Sequence, residues 1–497
     1  MSRNRVDWPV LALVGGLLLA QLAWLVGVPP FRGMDEWDHA YRAAAVAEGT
    51  WVAEPTEATR GTGAVLRVPA HIVAATRPEC ERLPYTNAED CVGRPDGETV
   101  LVPSGAGRYH PAFYALIGYP AMLFQGTDAL YAMRITGLLA CWGFFLLAVL
   151  CLRRWASGSA PPLAFALALT PTVIFTSAIA APNGVEMAAG LAWSSALIGL
   201  GLAATPQHDR LYLGVAAISG SVLVTVRSLG PLWCALVLVT CLVALPVSTA
   251  RIRQVVGRPM GALALVAVAL STMASVVWTL SQRSLVVGVD PAELTWSQKV
   301  MGVGELLIQW PLQAIGAFPY RDAPAPPLVY VVYLLLVGGC LVVALRSFDR
   351  RGRWALGLGI ATLFLLPAIV TLATADRYGA AWQGRYELPY GVCLLLLAGV
   401  AWQRKGIQIG ARVALPGLVL FAIGQVVGPV QVLRNELATS PYSGTNSWAS
   451  PPVAVEALLM TSAAALIWWG AWAMGWRGSN HATEEAVRPT EETVNAT

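Results

Sequence analysis

The segment VLALVGGLLLAQLAWLVGV, residues 10–28, is followed directly by PPFRGMDEWDHAYR, residues 29–42, and these two pieces decide the fold. The first piece is apolar and long enough to span a membrane, which takes ~20 residues. Two prolines then stop the helix, and Gly33 allows a turn. We expect Asp35 to cap a new helix that runs to Glu48, because aspartate accepts hydrogen bonds from the free amides of a helix start. A span thus leads straight into a polar helix at the membrane surface.

On that helix, Asp35, His39 and Arg42 fall on one face at spacings i, i+4 and i+7. Asp38 can also pair with Arg42 at i+4. An acid, an imidazole and a guanidinium would therefore converge beside the membrane, as in a functional site. A purely structural interpretation explains the same residues: Asp35 caps, Asp38 and Arg42 form an exposed ion pair, and His39 faces water. Both interpretations stay open from this segment alone, because acids are enriched in first helical turns.

The composition of the whole chain is typical of a polytopic membrane protein. Of 497 residues, 56% are hydrophobic and only 12% are charged, whereas soluble domains usually carry about 25% charged residues. The mean hydropathy of +0.58 agrees with this class. The net charge of +4 is spread along the chain, so no basic block indicates a nucleic-acid partner.

Twelve apolar runs meet or approach the length of a spanning helix, and arginine in the short loops sets their orientation. Both termini are then cytoplasmic, and the segments 29–127, 281–327 and 431–454 lie outside, provided that residues 110–125 lie at the outer interface and do not span. The runs are residues 10–28, 130–152, 161–180, 185–204, 211–226, 230–248, 260–280, 328–345, 355–374, 388–402, 411–430 and 455–476.

This arrangement predicts one transmembrane domain over residues 1–476, followed by a polar tail, 477–497. The tail shows no apolar periodicity, so we expect it to be disordered in the cytoplasm. The acids of the first loop all lie outside, and carboxylate chemistry is therefore predicted at the outer face.

Cys80 and Cys91 differ from the other six cysteines, which lie in apolar runs and behave there as small apolar side chains. If the first loop is extracytoplasmic, Cys80 and Cys91 can form a disulfide, which contributes ~3 kcal/mol for a short loop. No Cys/His spacing typical of zinc ligands appears in the chain.

A second polar segment, DRYGAAWQGRYELP at 376–389, stands at the outer mouth of a later span. Arg377, Gln383 and Arg385 offer hydrogen-bond donors suited to a phosphate, which arginine binds in a bidentate way. The alternative is interfacial anchoring, since Arg, Trp and Tyr are normal at membrane boundaries. We favour a binding site, because two arginines stand here with a glutamine and a glycine.

Single ionisable residues beside the apolar runs are further candidates, because a charge near the membrane interior is costly and is often functional. Glu186 lies just inside a span, Arg227 stands alone between two spans, and Arg134 opens a span beside the long loop. Glu186 can equally extend to the interface. For His110, the start of an interfacial helix is a better explanation than catalysis.

Five motifs occur in order between residue 29 and about residue 391. Together they resemble a bacterial membrane family of unknown function that is placed near the GT-C glycosyltransferases, the group of the protein O-mannosyltransferases and the lipid A aminoarabinose transferases. The chain departs from the family pattern at Asn183, where an aspartate is expected, and at residues 319–322, where Gly-Trp-Leu-Asp is common. The motifs are Pro29-Pro30-Phe31-x-Gly33-x-Asp35-Glu36-x-x-His39-x-x-Arg42, Tyr109-His110-Pro111-x-x-Tyr114, Leu130-Tyr131-x-x-Arg134, Thr170-Pro171 with Pro182-Asn183, and Gln383-Gly384-Arg385-Tyr386-x-x-Pro389.

The resemblance implies an all-α, GT-C-like bundle of about 12 transmembrane helices in the bacterial plasma membrane. It also implies a polyprenyl-phosphate sugar as donor, a glycan, lipid or protein of the cell envelope as acceptor, and an acid of the first outer loop as base. We take Asp35 as that base, and we expect Glu36 with His39 to orient either Asp35 or the acceptor. The residues predicted to hold the donor phosphate are Arg385, Arg377, Gln383 and Tyr386. The residues predicted to support them are Arg42, His110, Arg134, Glu186, Arg227 and Asp322.

The mechanism that fits these residues is a single displacement with inversion. Glycosyl transfer needs a base near the acceptor hydroxyl and stabilisation of the leaving group as the anomeric bond breaks. A lipid phosphate already leaves readily, so arginines can replace the general acid of a glycosidase. A divalent cation between carboxylate and phosphate is compatible with this mechanism, although nothing in the spacing demands it.

Other classes share part of this pattern. A transporter or lipid flippase would carry ionisable residues or broken helices near mid-membrane and paired half-repeats. Here the ionisable residues stay at the outer mouths of the spans, which favours an enzyme. A polymerase or ligase of lipid-linked glycans would share the outer arginines, and an inactive scaffold would share everything but turnover.

Overall fold

The protein is a polytopic membrane protein whose spans are all α-helical. The computed structural model describes residues 7–53, 63–83, 86–87, 91–203, 209–285, 293–320, 322–379 and 381–487, with side chains up to residue 475. In chain order its helices are α1 (Trp8–Gly27), α2 (Glu36–Ala47), α3 (Ala70–Arg82), α4 (Pro111–Ala121), α5 (Gly126–Trp155), α6 (Ala160–Ala168), α7 (Pro171–Thr176), α8 (Pro182–Leu202), α9 (Asp209–Val226), α10 (Gly230–Ala244), α11 (Thr249–Val256), α12 (Pro259–Ser281), α13 (Trp296–Ile315), α14 (Pro327–Ser347), α15 (Arg350–Tyr378), α16 (Leu388–Arg404), α17 (Ala411–Thr439) and α18 (Val453–Val487).

Among the described residues, nine helices are long and apolar enough to cross a membrane: α1, α5, α8, α9, α12, α14, α15, α17 and the part of α18 up to Gly475. Each of the twelve predicted runs overlaps a helix, but three runs give helices shorter than a span. The run 161–180 is divided into α6 and α7, because the side chain of Thr170 caps the new helix and Pro171 begins it. The runs 230–248 and 388–402 give α10 and α16, of 15 and 17 residues.

The predicted loops contain helices that the apolar pattern did not indicate. The segment 281–327 includes α13, whose 20 residues begin with a capping box between Thr295 and Gln298. Residues 110–125 form α4, whose 11 residues are too few to cross a bilayer. Helix α18 continues to Val487, so the first part of the predicted disordered tail is helical, and it ends shortly before Pro489. Residues 488–497 lie outside the described residues.

A small antiparallel sheet lies in the first loop, where the sequence analysis expected only helices and turns. Its strands β1 (Ala64–Pro69), β2 (Arg94–Asp96) and β3 (Thr99–Ser104) are arranged in the order β1-β3-β2. Cys80 in α3 and Cys91 before β2 are joined by a disulfide, which ties the sheet to the helix. A second, two-residue pairing joins β4 (Ala317–Phe318) to β5 (Ala323–Pro324).

Helix α2 is buried at every position, although it follows a membrane span and carries five polar side chains among its twelve residues. It packs against α4, and the contact is so close that a Cβ at Gly118 would lie 2.3 Å from the carbonyl oxygen of Ala43. Any larger side chain there would force the helices apart, at a typical cost of ~1–3 kcal/mol. The polar face of α2 is therefore enclosed by protein and fixed in position.

Candidate active site

Asp35 lies just before α2, with a backbone φ of 56° that non-glycine residues seldom adopt. Its side chain does not cap the helix, so the capping prediction is wrong. The left-handed backbone directs the carboxylate elsewhere: it accepts hydrogen bonds from Nη2 of Arg385 at 2.6 Å and from the hydroxyl of Tyr320 at 3.0 Å. The Asp35 side chain remains 34% exposed. Strained backbone at a partly open carboxylate is typical of functional sites.

Arg385 reaches Asp35 from a 3₁₀ turn, Gly384–Glu387, directly before α16. The turn is packed so tightly on α13 that a Cβ at Gly384 would lie 1.9 Å from the carbonyl oxygen of Trp310. The Gly384 amide also donates to the side chain of Gln313 at 2.9 Å. The Arg385 side chain is only 4% exposed, and its Nε has no hydrogen-bond partner among the residues that the structure describes. The guanidinium is thus held rigidly and keeps a donor free for a second oxyanion.

A second guanidinium, that of Arg227, lies beside the first. Both groups lie over the ring of Tyr386, with guanidinium carbons 4.4 Å (Arg227) and 5.4 Å (Arg385) from the ring centre. Arg227 also forms an ion pair with Glu186 at 3.4 Å. Burial alone would lower the pKa of Arg227, but Glu186 and nearby Tyr109 outweigh burial and raise it. Two guanidinium groups therefore contact the same tyrosine ring, and guanidinium groups suit a phosphate.

A cavity of about 370 Å³ opens beside Arg227, and neither Arg385 nor Asp35 is part of its lining. Its lining includes Tyr109, Arg227 and Tyr386, and continues along α12 and α15 past residues such as Trp278. On α12, Val277 next to this wall is 60% exposed, on a helix apolar enough to span the membrane. The cavity thus runs from the charged groups to membrane-spanning helices, as a site for an anionic lipid requires.

His39 is buried in α2, and its Nδ1 lies 2.9 Å from the hydroxyl of Tyr114. Burial lowers the pKa of His39 to about 3; nearby Asp35 only partly opposes that effect, while Arg385 adds to it. The imidazole is therefore neutral at physiological pH. Burial thus favours the neutral ring, whose Nδ1 is held at the hydroxyl of Tyr114.

Arg42 does not form the predicted ion pair with Asp38. Its guanidinium donates instead to the carbonyl oxygens of Thr50, Trp51 and Tyr109, at 3.0, 2.7 and 3.1 Å. Asp38 accepts from the Gly105 amide at 2.7 Å. The pairing prediction fails because surrounding loops cover α2 and provide partners that a solvent-exposed helix would lack. Arg42 thereby fixes the segment that carries Tyr109 at the site.

Glu36 forms a closed ion pair with Arg134. Both side chains are 0% exposed, and the guanidinium donates from Nε and Nη2 at 2.7 and 2.6 Å. The amides of Gly33 and Ala180 donate to the same carboxylate at 3.1 and 2.8 Å. Arg134 also donates to the carbonyl oxygens of Val28 and Pro29 at the end of α1. The pair joins α2 to the turn that follows α1, and the supporting position of Arg134 stays a prediction.

Several predicted residues lie at the edge of the site or away from it. Arg377 is exposed in the last turn of α15. Gln383 is buried, and its Oε1 has no partner among the described residues. His110 caps α4 by accepting from the Ala112 amide at 3.3 Å, and its ring lies 5.2 Å from that of Trp278 in the cavity wall. The structure therefore does not bring Arg377 to the carboxylate of Asp35.

Asp322 belongs to an ion network that the sequence analysis missed. Arg32 in the first loop pairs with Asp322, with Glu79 of α3 at 3.2 Å and with Glu436 of α17 at 2.9 Å. Arg82 pairs with Glu436 at 2.6 Å. Burial raises the pKa of Glu79 to about 7, although Arg32 and Arg82 oppose the shift. The network joins all three long loop segments over the site.

Sequence reasoning also missed Tyr320 and Tyr109 as site residues. Tyr109 stands in one of the family motifs, so a signal was present. Tyr320 lies in the segment where the chain departs from the family pattern, and nothing in its spacing shows that it reaches Asp35. Within the described part of the chain, no group of three or more His, Cys, Asp or Glu side chains is arranged to hold a metal ion.

Comparison with known proteins gives a family match and a structural match. The family model described as "Predicted membrane protein (DUF2142)" matches residues 18–394. No curated protein matches the chain. Among solved structures, ArnT from Cupriavidus metallidurans bound to undecaprenyl phosphate is similar, with 16% sequence identity and a TM-score of 0.45, over 96% of this chain and 81% of the ArnT chain.

Proposed function

The chain belongs to the DUF2142 family of predicted membrane proteins, and on that premise we propose that it is a glycosyltransferase that moves a sugar from a polyprenyl-phosphate donor to a cell-envelope acceptor. The observation that carries the proposal is the contact between the Asp35 carboxylate and the Arg385 guanidinium, next to Tyr386, whose ring also contacts Arg227 in the wall of a cavity of about 370 Å³. A base next to a phosphate-binding group is the combination that this transfer needs.

The donor phosphate would lie on Arg385 and Arg227. Among the described residues, the Nε of Arg385 has no partner. Arg227 lines the cavity, and the opposite wall of that cavity is formed by α12 and α15, which would face lipid. The first isoprene units would then occupy the cavity between aromatic side chains such as Trp278 and Tyr386. Arg227 takes the place that the sequence analysis gave to Arg377, because Arg377 is exposed and Arg227 lies over Tyr386 beside Arg385.

Asp35 would act as the base. Its carboxylate takes the proton of the acceptor hydroxyl while the acceptor oxygen bonds to the anomeric carbon and the bond from that carbon to the phosphate oxygen breaks. The electron pair leaves with polyprenyl phosphate, whose charge the two arginines stabilise. One displacement of this kind inverts the anomeric centre. The Tyr320 hydroxyl, 3.0 Å from the carboxylate, orients Asp35 for this step.

The contact between Asp35 and Arg385 also gives the donor a means of activating the base. A phosphate and a carboxylate are both oxyanions and compete for the same guanidinium N–H groups. Donor binding on Arg385 would release Asp35, which is already 34% exposed, toward the acceptor. The base would then become available only when a donor is in place.

We place this site on the extracytoplasmic face of the plasma membrane, with both termini cytoplasmic, because arginine is concentrated in the loops of the opposite face. Accessibility labelling tests the orientation. A cysteine introduced at Glu48, which is exposed near the site, should react only from outside, and one at Arg350 only from inside. Equal labelling of the two from outside would overturn the orientation.

The function itself is tested with purified protein in proteoliposomes and a panel of polyprenyl-phosphate hexoses and pentoses, added with envelope extract as acceptor. We expect release of polyprenyl phosphate and sugar on a new acceptor with at least one donor. Movement of the donor between leaflets without its cleavage would show a flippase. Growth of a lipid-linked glycan would show a polymerase or ligase.

A further inference from the structure

A second cavity, of about 470 Å³, lies among α8, α9, α10 and α12 and shares no lining residue with the cavity at the candidate site. Its wall is almost entirely apolar. Representative lining residues are Trp193, Leu197, Leu238, Leu242, Leu265 and Val268. The glycosyltransferase proposal makes no use of this space.

The cavity is an elongated slot along α10. Its lining extends from Pro231 to Leu242 on that helix, a separation of 11 residues (242 − 231). At 1.5 Å per residue this is ~17 Å, close to half of the ~30 Å hydrocarbon core of a bilayer. The slot therefore has the length of one leaflet, which suits an acyl chain.

One end of the slot is basic. Arg251 of α11 is part of the lining there and pairs with Asp209 at 2.6 Å, while its buried Nε has no partner within the described part of the chain. Arg258 pairs with the same carboxylate, and Arg351 donates to the Leu242 carbonyl oxygen at 2.8 Å. The Asp209 carboxylate is thus shared by the guanidinium groups of Arg251 and Arg258. The positive charge at this end exceeds the negative charge of that carboxylate and attracts an anion.

That end faces away from the candidate site. Helix α9 begins at Asp209 and ends at Val226, directly before Arg227, so its 18 residues separate the two charged regions by ~27 Å. The basic end thus lies at the opposite membrane surface from Asp35 and Arg385. An anion bound there belongs to the other leaflet.

We propose that the slot binds an anionic phospholipid, with one acyl chain along α10 and the headgroup phosphate at Arg251, Arg253 and Arg258. Helix α11 suits this location, because none of its residues is buried and it exposes both Arg253 and the apolar Ile252. Basic pockets between membrane helices bind anionic lipid headgroups in this way. The proposal does not depend on the glycosyltransferase activity.

The test uses the purified full-length protein and native mass spectrometry with added phosphatidylglycerol or phosphatidylcholine. We expect phosphatidylglycerol to bind at least ~5-fold more tightly, since each arginine near a membrane surface favours an anionic lipid by about that factor. Ala235→Trp should abolish this binding, because Ala235 is accessible and lines the slot. Ala262→Trp, accessible on α12 but outside the lining, is the matched control and should bind as the wild type does.

A second variant keeps the test valid if the tryptophan in the slot prevents folding. Arg253→Gln changes an exposed side chain of α11 and should weaken phosphatidylglycerol binding ~5-fold while leaving phosphatidylcholine binding unchanged. Equal binding of the two lipids by the wild type would overturn the proposal. So would full phosphatidylglycerol binding in a folded Ala235→Trp protein.

Discussion

Asp35 and Glu36 are adjacent acids, and each forms an ion pair with an arginine far along the chain. The Glu36 pair is completely buried, and its carboxylate accepts from Arg134 and from two backbone amides. In the Asp35 pair the carboxylate is partly exposed, and the Nε of Arg385 is unpaired among the described residues. The comparison shows that the availability of a carboxylate for chemistry depends on its burial and on how many of the hydrogen-bonding groups around it are already paired. The two acids carry the same functional group and are neighbours in the sequence, so neither property accounts for the difference.

The largest effect is expected from breaking the buried ion pair between Glu36 and Arg134. Glu36→Gln leaves the Arg134 guanidinium buried without a counter-charge, and breaking a buried pair in this way typically costs ~3–5 kcal/mol. We expect the variant to accumulate poorly and to have a strongly lowered thermal midpoint in detergent. A normal midpoint would show that the pair does not hold the turn between α1 and α2.

The matching change in the partly exposed pair of Asp35 and Arg385 should affect activity and leave folding intact. Asp35→Asn keeps the size of the side chain and removes the basicity needed for proton transfer, so release of polyprenyl phosphate should fall by ~10²-fold or more. The thermal midpoint should stay near that of the wild type. Unchanged turnover would exclude Asp35 as the base and direct attention to Glu36, whereas loss of folding would support a structural function for Asp35.

A smaller effect should follow from replacing Arg385, the ion-pair partner of Asp35. Arg385→Lys substitutes a point charge for a planar fork, and loss of one charged hydrogen bond raises the KM for the donor by ~10-fold. Arg377→Lys is the matched control, because Arg377 is exposed in the same region and should leave KM within ~2-fold. Equal effects of the two changes would restore Arg377 as a phosphate ligand.

The smallest expected effect concerns pH and His39. Because its pKa in the folded protein is about 3, below its ordinary value of ~6.5, the unfolded chain binds the proton first as the pH falls. His39 therefore makes the free energy of unfolding decrease as the pH falls below ~6.5 toward the folded pKa. The thermal midpoint of the wild type should fall more steeply over that window than the midpoint of His39→Gln.

Activity provides a separate check on His39. We expect kcat/KM to show no limb near pH 6.5 that His39→Gln removes, because the imidazole stays neutral during turnover. A limb present in the wild type and absent in the variant would make His39 a proton carrier after all.

The spans could be predicted from the sequence because membrane crossing demands a length of apolar chain that is visible locally. Donor groups at Arg385 and the acid at Asp35 were also visible, since their residue types define their chemistry. The contact between them could not be predicted, because it joins residues 350 positions apart through packing of α13 against a 3₁₀ turn. For the same reason, the pattern favoured Arg377 where the structure offers Arg227.

Helix α13 and the β1-β3-β2 sheet were missed for a different physical reason. They lie in loops where polar and apolar residues mix, so neither element shows a long apolar run. Glu36 shows a further limit of sequence-based prediction, because an acid at a helix start is expected to be solvated. Only the structure reveals that Glu36 is buried in an ion pair with Arg134.

The distance along the chain between Asp35 and Arg385 has a consequence for biosynthesis. The ribosome must add 350 residues after Asp35 before its partner exists, which takes roughly 20–70 s at typical elongation rates. Throughout that time Asp35 has already been made, whereas Arg385 has not. A nascent or prematurely terminated chain ending before residue 385 therefore carries the acid without its arginine partner. The last ion-pair partner of Arg32, Glu436, is made later still, so the site is completed only as the final helices enter the membrane.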